Sequence, residues 1–183
     1  SYSYKKIVDR VNDDSKEITE IDALPGDSFN FYAKAFYNCN SLAKLNSDVT
    51  GEFNLPTATT SIGNSSFYNC DGMVTIDMND SITTVGESAF AYCDNLMVVE
   101  NAELVKSIGS SAFYNCKQLV GFDSDNCIVI PNGSETISSR AFYGCSSLNI
   151  KKIHATEIGD YAFANTKIID VDVNREMRQS FLD

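Results

Sequence analysis

A Phe-x-x-Cys unit recurs along this chain, and its spacing constrains the fold more than any other feature of the sequence. Five copies are complete, and a sixth has threonine in place of the cysteine. The copies lie at Phe36/Cys39, Phe67/Cys70, Phe90/Cys93, Phe113/Cys116, Phe142/Cys145 and Phe163/Thr166. Successive phenylalanines are 31, 23, 23, 29 and 21 residues apart. A repeat of roughly 20 to 50 residues is typical of solenoids.

The order of residue types within each copy is also repeated. A β-branched residue, usually followed by glycine, precedes the phenylalanine, and alanine stands directly before it in five of the six copies. Three residues after the cysteine comes a first apolar anchor: Leu42, Met73, Leu96, Leu119 or Leu148. Three residues later comes a second anchor: Leu45, Ile76, Val99 or Phe122. The two longest steps indicate insertions at 50–57 and near 126–134.

Each copy is predicted to form one coil of the solenoid. The Phe/Cys spacing of three suits a short helical or 3₁₀ turn with both side chains inward. Asn or Gly precedes the Cys position in five of six copies, which indicates a left-handed residue there. Segments such as "MVTIDM" (73–78) are typical of strands. Because one coil cannot bury its own apolar face, we expect the coils to stack and their strands to pair in parallel.

The order Ile-Gly-x-x-Ala-Phe-x-x-Cys-x-x-Leu-x-x-Ile resembles the BspA-like (Treponema pallidum type) leucine-rich repeats. The copies are irregular in length, and only "IVIP" (128–131) approaches the Ile-Pro that usually ends the family's strand. The resemblance implies a β-rich α/β fold, a right-handed leucine-rich-repeat solenoid with one curved parallel sheet and short helical or 3₁₀ turns.

We expect a single domain over 1–183. It divides into an N-terminal cap (1–28), about six repeats (29–173) and a C-terminal cap (174–183). The first cap is predicted to supply a strand at Ile18 and Ile21. In the second cap, Met177 and Phe181 are four residues apart and predict one face of a short helix.

Composition and charge exclude several functional classes. The 183 residues carry a formal net charge of −11, which disfavours nucleic acid and anionic membrane surfaces. No run approaches the roughly 18 apolar residues of a membrane helix, and "SYSYKKIVDR" (1–10) lacks the apolar region of a signal peptide. We therefore expect no membrane insertion and no nucleic-acid partner.

The repeated cysteines are predicted to be small buried thiols, because they occupy one inward position in successive coils. Zinc sites need cysteine pairs two to four residues apart or clustered histidines, and the sequence has neither. No metal and no cofactor are expected. Cys127 lies outside the repeat pattern and is the candidate for a reactive thiol.

Catalytic motifs are absent from the sequence. It contains one histidine, His154, and no nucleophile elbow, Walker A loop or His-Glu-x-x-His motif. His154 follows a strand-like segment, where a surface position is expected. The chain is therefore predicted not to be an enzyme, with Cys127 and His154 as the residues on which any catalysis would depend.

An acidic column is predicted on the exposed face of the sheet. The residue after the second anchor is Asn46, Asp77, Glu100, Asp123 or, in the last copy, Asp172, and the irregular fifth coil puts His154 there. Two interpretations remain open: a binding strip for a basic peptide or Ca²⁺, or a solvated acidic face. A straight ladder offers Ca²⁺ too few convergent oxygens, so a basic protein is the better ligand.

Tyrosines form a second stripe. Tyr37, Tyr68, Tyr114 and Tyr143 each follow the repeat phenylalanine, and Tyr92 lies one place later. They either pack against loops between coils or form an exposed contact surface.

The family resemblance implies a non-enzymatic protein-binding or adhesion module. Its relatives are mostly surface or secreted proteins, linked to virulence and to adhesion to extracellular matrix proteins such as fibronectin and fibrinogen. We expect a cell-surface or secreted monomer that binds a protein partner through Asp77, Glu100, Asp123, Asp172 and His154. The alternative is a structural spacer within a longer repeat protein, with no ligand of its own.

Overall fold

The computed structural model describes residues 20–21, 33–45, 47, 49–122, 136–149, 153 and 155–167, and these form a solenoid with two parallel sheets. The six-stranded sheet contains, in order, β1 (Glu20–Ile21), β2 (Lys44–Leu45), β3 (Glu52–Asn54), β5 (Thr75–Asp77), β7 (Val98–Glu100) and β9 (Gly121–Phe122). The five-stranded sheet contains β4 (Ser61–Ile62), β6 (Thr84–Val85), β8 (Ser107–Ile108), β10 (Thr136–Ile137) and β11 (Glu157–Ile158).

The prediction of one sheet is wrong, because the short segments around the Ile-Gly positions also pair. Ile62 is in register with Val85, and Val85 with Ile108. These strands are two residues long, so no alternation of apolar and polar residues marks them in the sequence. Each complete coil therefore contributes one strand to each sheet, and a turn segment connects the two strands.

The turn segments stack on one another, and no helix is found among them in the described part of the chain. The residue before the Cys position is left-handed in all six copies, as predicted, with φ between 56° and 75°. A second left-handed residue, two places before the phenylalanine, was not predicted; its φ lies between 53° and 62°. The expected helical or 3₁₀ turns are therefore not present in these segments.

Alternating backbone handedness directs the N–H groups in two directions. Phe67 and Asn69 donate their N–H groups to Ala89 and Ala91 of the next coil, both at 2.8 Å. Tyr68, between them, donates within its own turn to Ser65 at 3.2 Å. A helix would direct every N–H back along its own turn. The stacked turns thus form a third hydrogen-bonded surface between the coils.

A column of phenylalanine rings forms the core. The six repeat phenylalanines are at most 2% exposed, and neighbouring ring centroids in the column are 5.1–5.4 Å apart. The five repeat cysteines and the first apolar anchors line the same interior. Stacked rings at this spacing bury large apolar areas and set a common separation between coils.

The insertion at 50–57 contributes strand β3, which lies between β2 and β5. Its Phe53 ring meets Phe67 edge-on, with centroids 6.3 Å apart. At the N-terminal end, Ile21 lies in β1 and pairs with Leu45, so the predicted strand is confirmed at that residue. Ile18, the insertion near 126–134, Met177 and Phe181 lie outside the described residues, and the cap boundaries remain predictions.

No helix in the described part of the chain has the length and apolar character needed to cross a bilayer.

Candidate protein-binding face

The exposed face of the six-stranded sheet brings two of the predicted acidic residues together. Asp77 of β5 and Glu100 of β7 are direct neighbours in the parallel register. On the other side of Asp77 stands Asn54, which β3 supplies. Asn46 was predicted to lie next to Asp77, but the strand formed by the insertion lies between β2 and β5. The described column is therefore Asn54, Asp77 and Glu100.

Asp77 is held by hydrogen bonds that the sequence analysis missed. Its Oδ1 accepts the N–H of Asn79 and the side-chain amide of Asn101, both at 2.8 Å. Asn79 has φ of 50°, so the first bond closes a tight turn at the end of the strand. Asp77 thus has a structural role as well as a charge, whereas Glu100 is exposed.

Exposed apolar side chains directly precede the strands that carry this acidic column. The position after the first anchor is occupied by Val74, Met97 and Val120 in three successive coils, and their backbones are joined by N–H···O bonds of 2.8 and 2.9 Å. Val74 is 37% exposed and Met97 43%, while Val98 on the adjacent strand is half-buried. We call Val74, Met97, Val98 and Val120 the apolar strip. The recurrence of Val, Met and Val directly after the anchor was a sequence signal for it.

The other predicted contact residues cannot be added to this face. Asp123, Asp172 and His154 lie outside the described residues, so their positions in the column remain predictions. The binding role of Asp77 and Glu100 is also a prediction, since the structure gives their placement and not a ligand.

The repeat cysteines are free and buried, and four of their thiols donate hydrogen bonds to the preceding coil. Cys93 Sγ donates to the carbonyl of Phe67 and Cys116 Sγ to that of Phe90, each at 3.0 Å, and Cys70 and Cys145 form equivalent bonds. Burial raises the pKa of Cys93 from 9.0 to about 12. The Cys93 thiol therefore stays protonated at neutral pH, which makes it a poor nucleophile and a poor metal ligand.

Among the described residues, no group of three His, Cys, Asp or Glu side chains is placed to hold a metal ion. Cys127 lies outside the described residues. The expectations of no cofactor and no enzymatic activity therefore remain predictions.

The tyrosine stripe packs mainly on itself. Successive ring centroids from Tyr37 through Tyr68, Tyr92 and Tyr114 to Tyr143 are 4.7, 5.4, 5.5 and 5.0 Å apart. In the third coil, Ala91 takes the usual tyrosine position and is buried, and Tyr92 supplies the ring from the next position. Tyr92 is exposed and the other four rings are half-buried. The stripe is thus a ladder on the outside of the stacked turns.

Comparison with known proteins agrees with this architecture. The family model for the BspA type leucine rich repeat region, in six copies, matches residues 33–128 and 121–180. Among curated proteins, no sequence matches this chain.

Three solved structures have a similar fold. The T. pallidum leucine rich repeat protein has a TM-score of 0.64 and 21% identity, with 89% of this chain and 83% of that chain covered. A leucine rich cell surface protein from Faecalibacterium prausnitzii has a TM-score of 0.58 and 21% identity, covering 82% and 47%. A leucine-rich repeat protein from Bacteroides ovatus has a TM-score of 0.51 and 19% identity, covering 88% and 52%. The chain belongs to the BspA-type leucine-rich repeat family.

Proposed function

We propose that this protein is a protein-binding module that uses the exposed face of the six-stranded sheet. The binding face comprises Asp77, Glu100 and the apolar strip. The observation that best supports the proposal is a pair of in-register carboxylates on two strands that partly exposed Val74 and Met97 directly precede. Solenoids offer extended surfaces of this kind, and most act as binding platforms.

The physical argument combines charge and apolar area. Like charges on adjacent strands repel, so a basic partner that pairs with Asp77 and Glu100 relieves an unfavourable contact. The net charge of −11 extends the attraction beyond the contact itself and speeds the encounter with a basic partner. Burial of Val74, Met97 and Val98 would then supply affinity that salt does not screen.

The finer proposal is adhesion at a cell surface. The F. prausnitzii structure is described as that of a cell surface protein, and the family resemblance points to matrix proteins such as fibronectin and fibrinogen as partners. The description of that structure supports a surface or secreted location, and the resemblance supports a role in adhesion. Extracellular matrix proteins are therefore the first partners to test.

The test measures capture of fibronectin and fibrinogen by the immobilised protein at low and high salt. The variant Asp77→Asn/Glu100→Gln removes two negative charges from the binding face. The matched control, Glu87→Gln/Glu157→Gln, removes two charges from exposed residues beside and on the five-stranded sheet. We expect salt-sensitive capture that the first variant loses and the control retains.

A second variant tests the apolar part of the face. Met97→Ser removes the more exposed of the two apolar side chains without changing charge, and should weaken capture at both salt concentrations. An equal loss of capture in the Glu87→Gln/Glu157→Gln control would show that capture depends on the total charge of the protein and not on this face. Failure to capture either protein at either salt would contradict the adhesin proposal and favour the spacer function.

A further inference from the structure

We propose that a groove at the end of the tyrosine ladder binds a carboxylated sugar. The groove has a volume of about 400 Å³ and is lined by Ser111, Tyr114, Arg140, Tyr143 and Tyr161. It lies on the stacked turns of the fourth to sixth coils and is separate from the binding face proposed above.

The repeat pattern changes at this groove. In the sixth coil, Ala164 takes the position that is tyrosine in the fourth and fifth coils, and it is 2% exposed. Tyr143 stacks on Tyr114 with centroids 5.0 Å apart and rings within 5° of parallel. Within the described residues no further ring pairs with Tyr143. One flat face of its ring is thus unpaired among the described rings, and we propose that it continues the stack with the apolar C–H face of a pyranose.

A cation, Arg140, lines the same groove as Tyr143. Arg140 occupies the left-handed position two places before Phe142, with φ of 57°, and its guanidinium carbon lies 5.8 Å from the centroid of Tyr161. Its side chain is exposed and forms no ion pair with any described residue. The backbone carbonyl of Asp160 accepts the Arg140 N–H at 3.0 Å. The guanidinium is thus free to bind a carboxylate through two parallel hydrogen bonds.

The surrounding groups favour a sugar over other carboxylates. The hydroxyl of Ser111 and the phenolic hydroxyls of three tyrosines can each donate and accept, as sugar hydroxyls require. The volume suits a small ligand of one or two rings rather than an extended chain. The net charge of −11 repels an acidic protein over its whole surface. A sugar with a single carboxylate is repelled much less, and its strongest electrostatic interaction is the attraction to the Arg140 guanidinium.

The first test compares two matched ligands, methyl β-glucuronide and methyl β-glucoside, by titration with the intact chain. These glycosides differ only in the carboxylate, so the comparison needs no protein variant. We expect dissociation constants on the order of 1 mM for the acidic glycoside and at least tenfold weaker binding of the neutral one. Equal affinities, or no binding of the glucuronide at roughly 10 mM, would overturn the proposal.

The second test locates the site. Arg140→Gln should weaken glucuronide binding at least tenfold, while Arg140→Lys should lose less. Lys34→Gln is the matched control, because Lys34 occupies the same repeat position, 5.6 Å over Tyr37, in a coil whose tyrosine is covered by Tyr68. Thermal melting of each variant checks the fold. An unchanged glucuronide affinity in Arg140→Gln, or an equal loss of affinity in Lys34→Gln, would exclude this groove as the binding site. Binding of an acidic peptide but not of the glucuronide would overturn the assignment of a sugar ligand.

Discussion

At the residue scale, four of the repeat cysteines join two coils: Cys70, Cys93, Cys116 and Cys145. The carbonyl of Phe90 accepts the N–H of Cys93 in its own turn at 3.2 Å and the thiol of Cys116 in the next coil at 3.0 Å. A backbone carbonyl has two lone pairs, so it can accept both bonds. Cysteine fits this position because it is small, apolar and a weak donor. In the sixth copy, Thr166 instead donates to Phe163 of its own coil at 2.6 Å.

The buried thiols make stability fall at high pH. Burial raises the pKa of Cys93 to about 12 and that of Cys39 to about 11, from 9.0 in both cases. The folded state therefore keeps protons that the unfolded state releases, so the stabilising contribution is complete below pH 9 and is lost as pH rises through the folded values. We expect the free energy of unfolding to decrease progressively between pH 9 and pH 12.

Urea unfolding at several pH values measures this decrease. Cys93→Ala is the matched variant, since it removes one raised pKa but leaves lysines and tyrosines unchanged. Its unfolding free energy should decline less steeply above pH 9 than that of the parent. Identical slopes would show that Cys93 does not couple folding to pH.

The phenylalanine column should be highly sensitive to truncation. Phe113 stacks between Phe90 and Phe142 at 5.1 and 5.2 Å and meets the edge of Phe122 at 5.4 Å. Phe113→Ala removes all of these ring contacts and leaves a cavity, so we expect a loss of about 3 to 5 kcal/mol. Phe113→Leu keeps part of the volume and should lose less. Denaturant unfolding measures both, and a nearly neutral Phe113→Ala would contradict the stacked-coil core.

At the element scale, the glycine after the β-branched residue allows the five-stranded sheet to form closely spaced coils. A Cβ on Gly109 would lie 2.6 Å from the carbonyl carbon of Gly86 and 2.7 Å from the nitrogen of Glu87. These are backbone atoms of the preceding coil, and they are held by the strand pairing. Close approach between coils, rather than an unusual φ, therefore explains this glycine.

Gly109→Ala should lower stability by about 1 to 3 kcal/mol, because the added methyl group must push two coils apart. Ser110→Ala, at the next residue, is the control and should be close to neutral. The midpoint of thermal unfolding compares the two variants. Equal midpoints would show that the spacing between these two coils adjusts to a methyl group without loss of stability.

The sequence predicted the inward residues well because they repeat with fixed spacing and chemistry. It predicted one left-handed position for the same reason, since Asn or Gly stands there in five of six copies. The second left-handed position is occupied by Lys, Ser, Arg or Tyr, none of which demands that conformation. Hydrogen bonding between stacked coils imposes it. The missed features therefore depend on contacts between coils, which one copy of the repeat does not encode.

The candidate face was also predictable where it depends on a position shared by several copies of the repeat. Asp77 and Glu100 share a repeat position, so parallel pairing was enough to make them neighbours. The sequence did not predict strand β3, which the insertion forms, or the hydrogen bonds to Asp77, because no other copy of the repeat has an equivalent segment. The groove at Arg140 was also missed, since it depends on a departure from the repeat in the sixth coil.

At the scale of the whole molecule, a net charge of −11 is distributed over a structure whose strands place like charges side by side. Such charge keeps a protein soluble but destabilises the folded state through repulsion. Neutralising Asp77 and Glu100 together should therefore leave stability unchanged or raise it by up to roughly 1 kcal/mol, with the larger effect at low salt.

The choice of substitution at Asp77 decides what this experiment reports. Asn keeps an Oδ1 that can still accept from Asn79 and Asn101, so Asp77→Asn/Glu100→Gln removes charge alone. Asp77→Ala also removes both bonds and should destabilise by about 1 to 3 kcal/mol, because it leaves the Asn79 N–H without this acceptor. If the double amide variant is as unstable as Asp77→Ala, the carboxylates are structural. If only Asp77→Ala is destabilised, the charge contributes little to folding, and the sheet face can serve recognition.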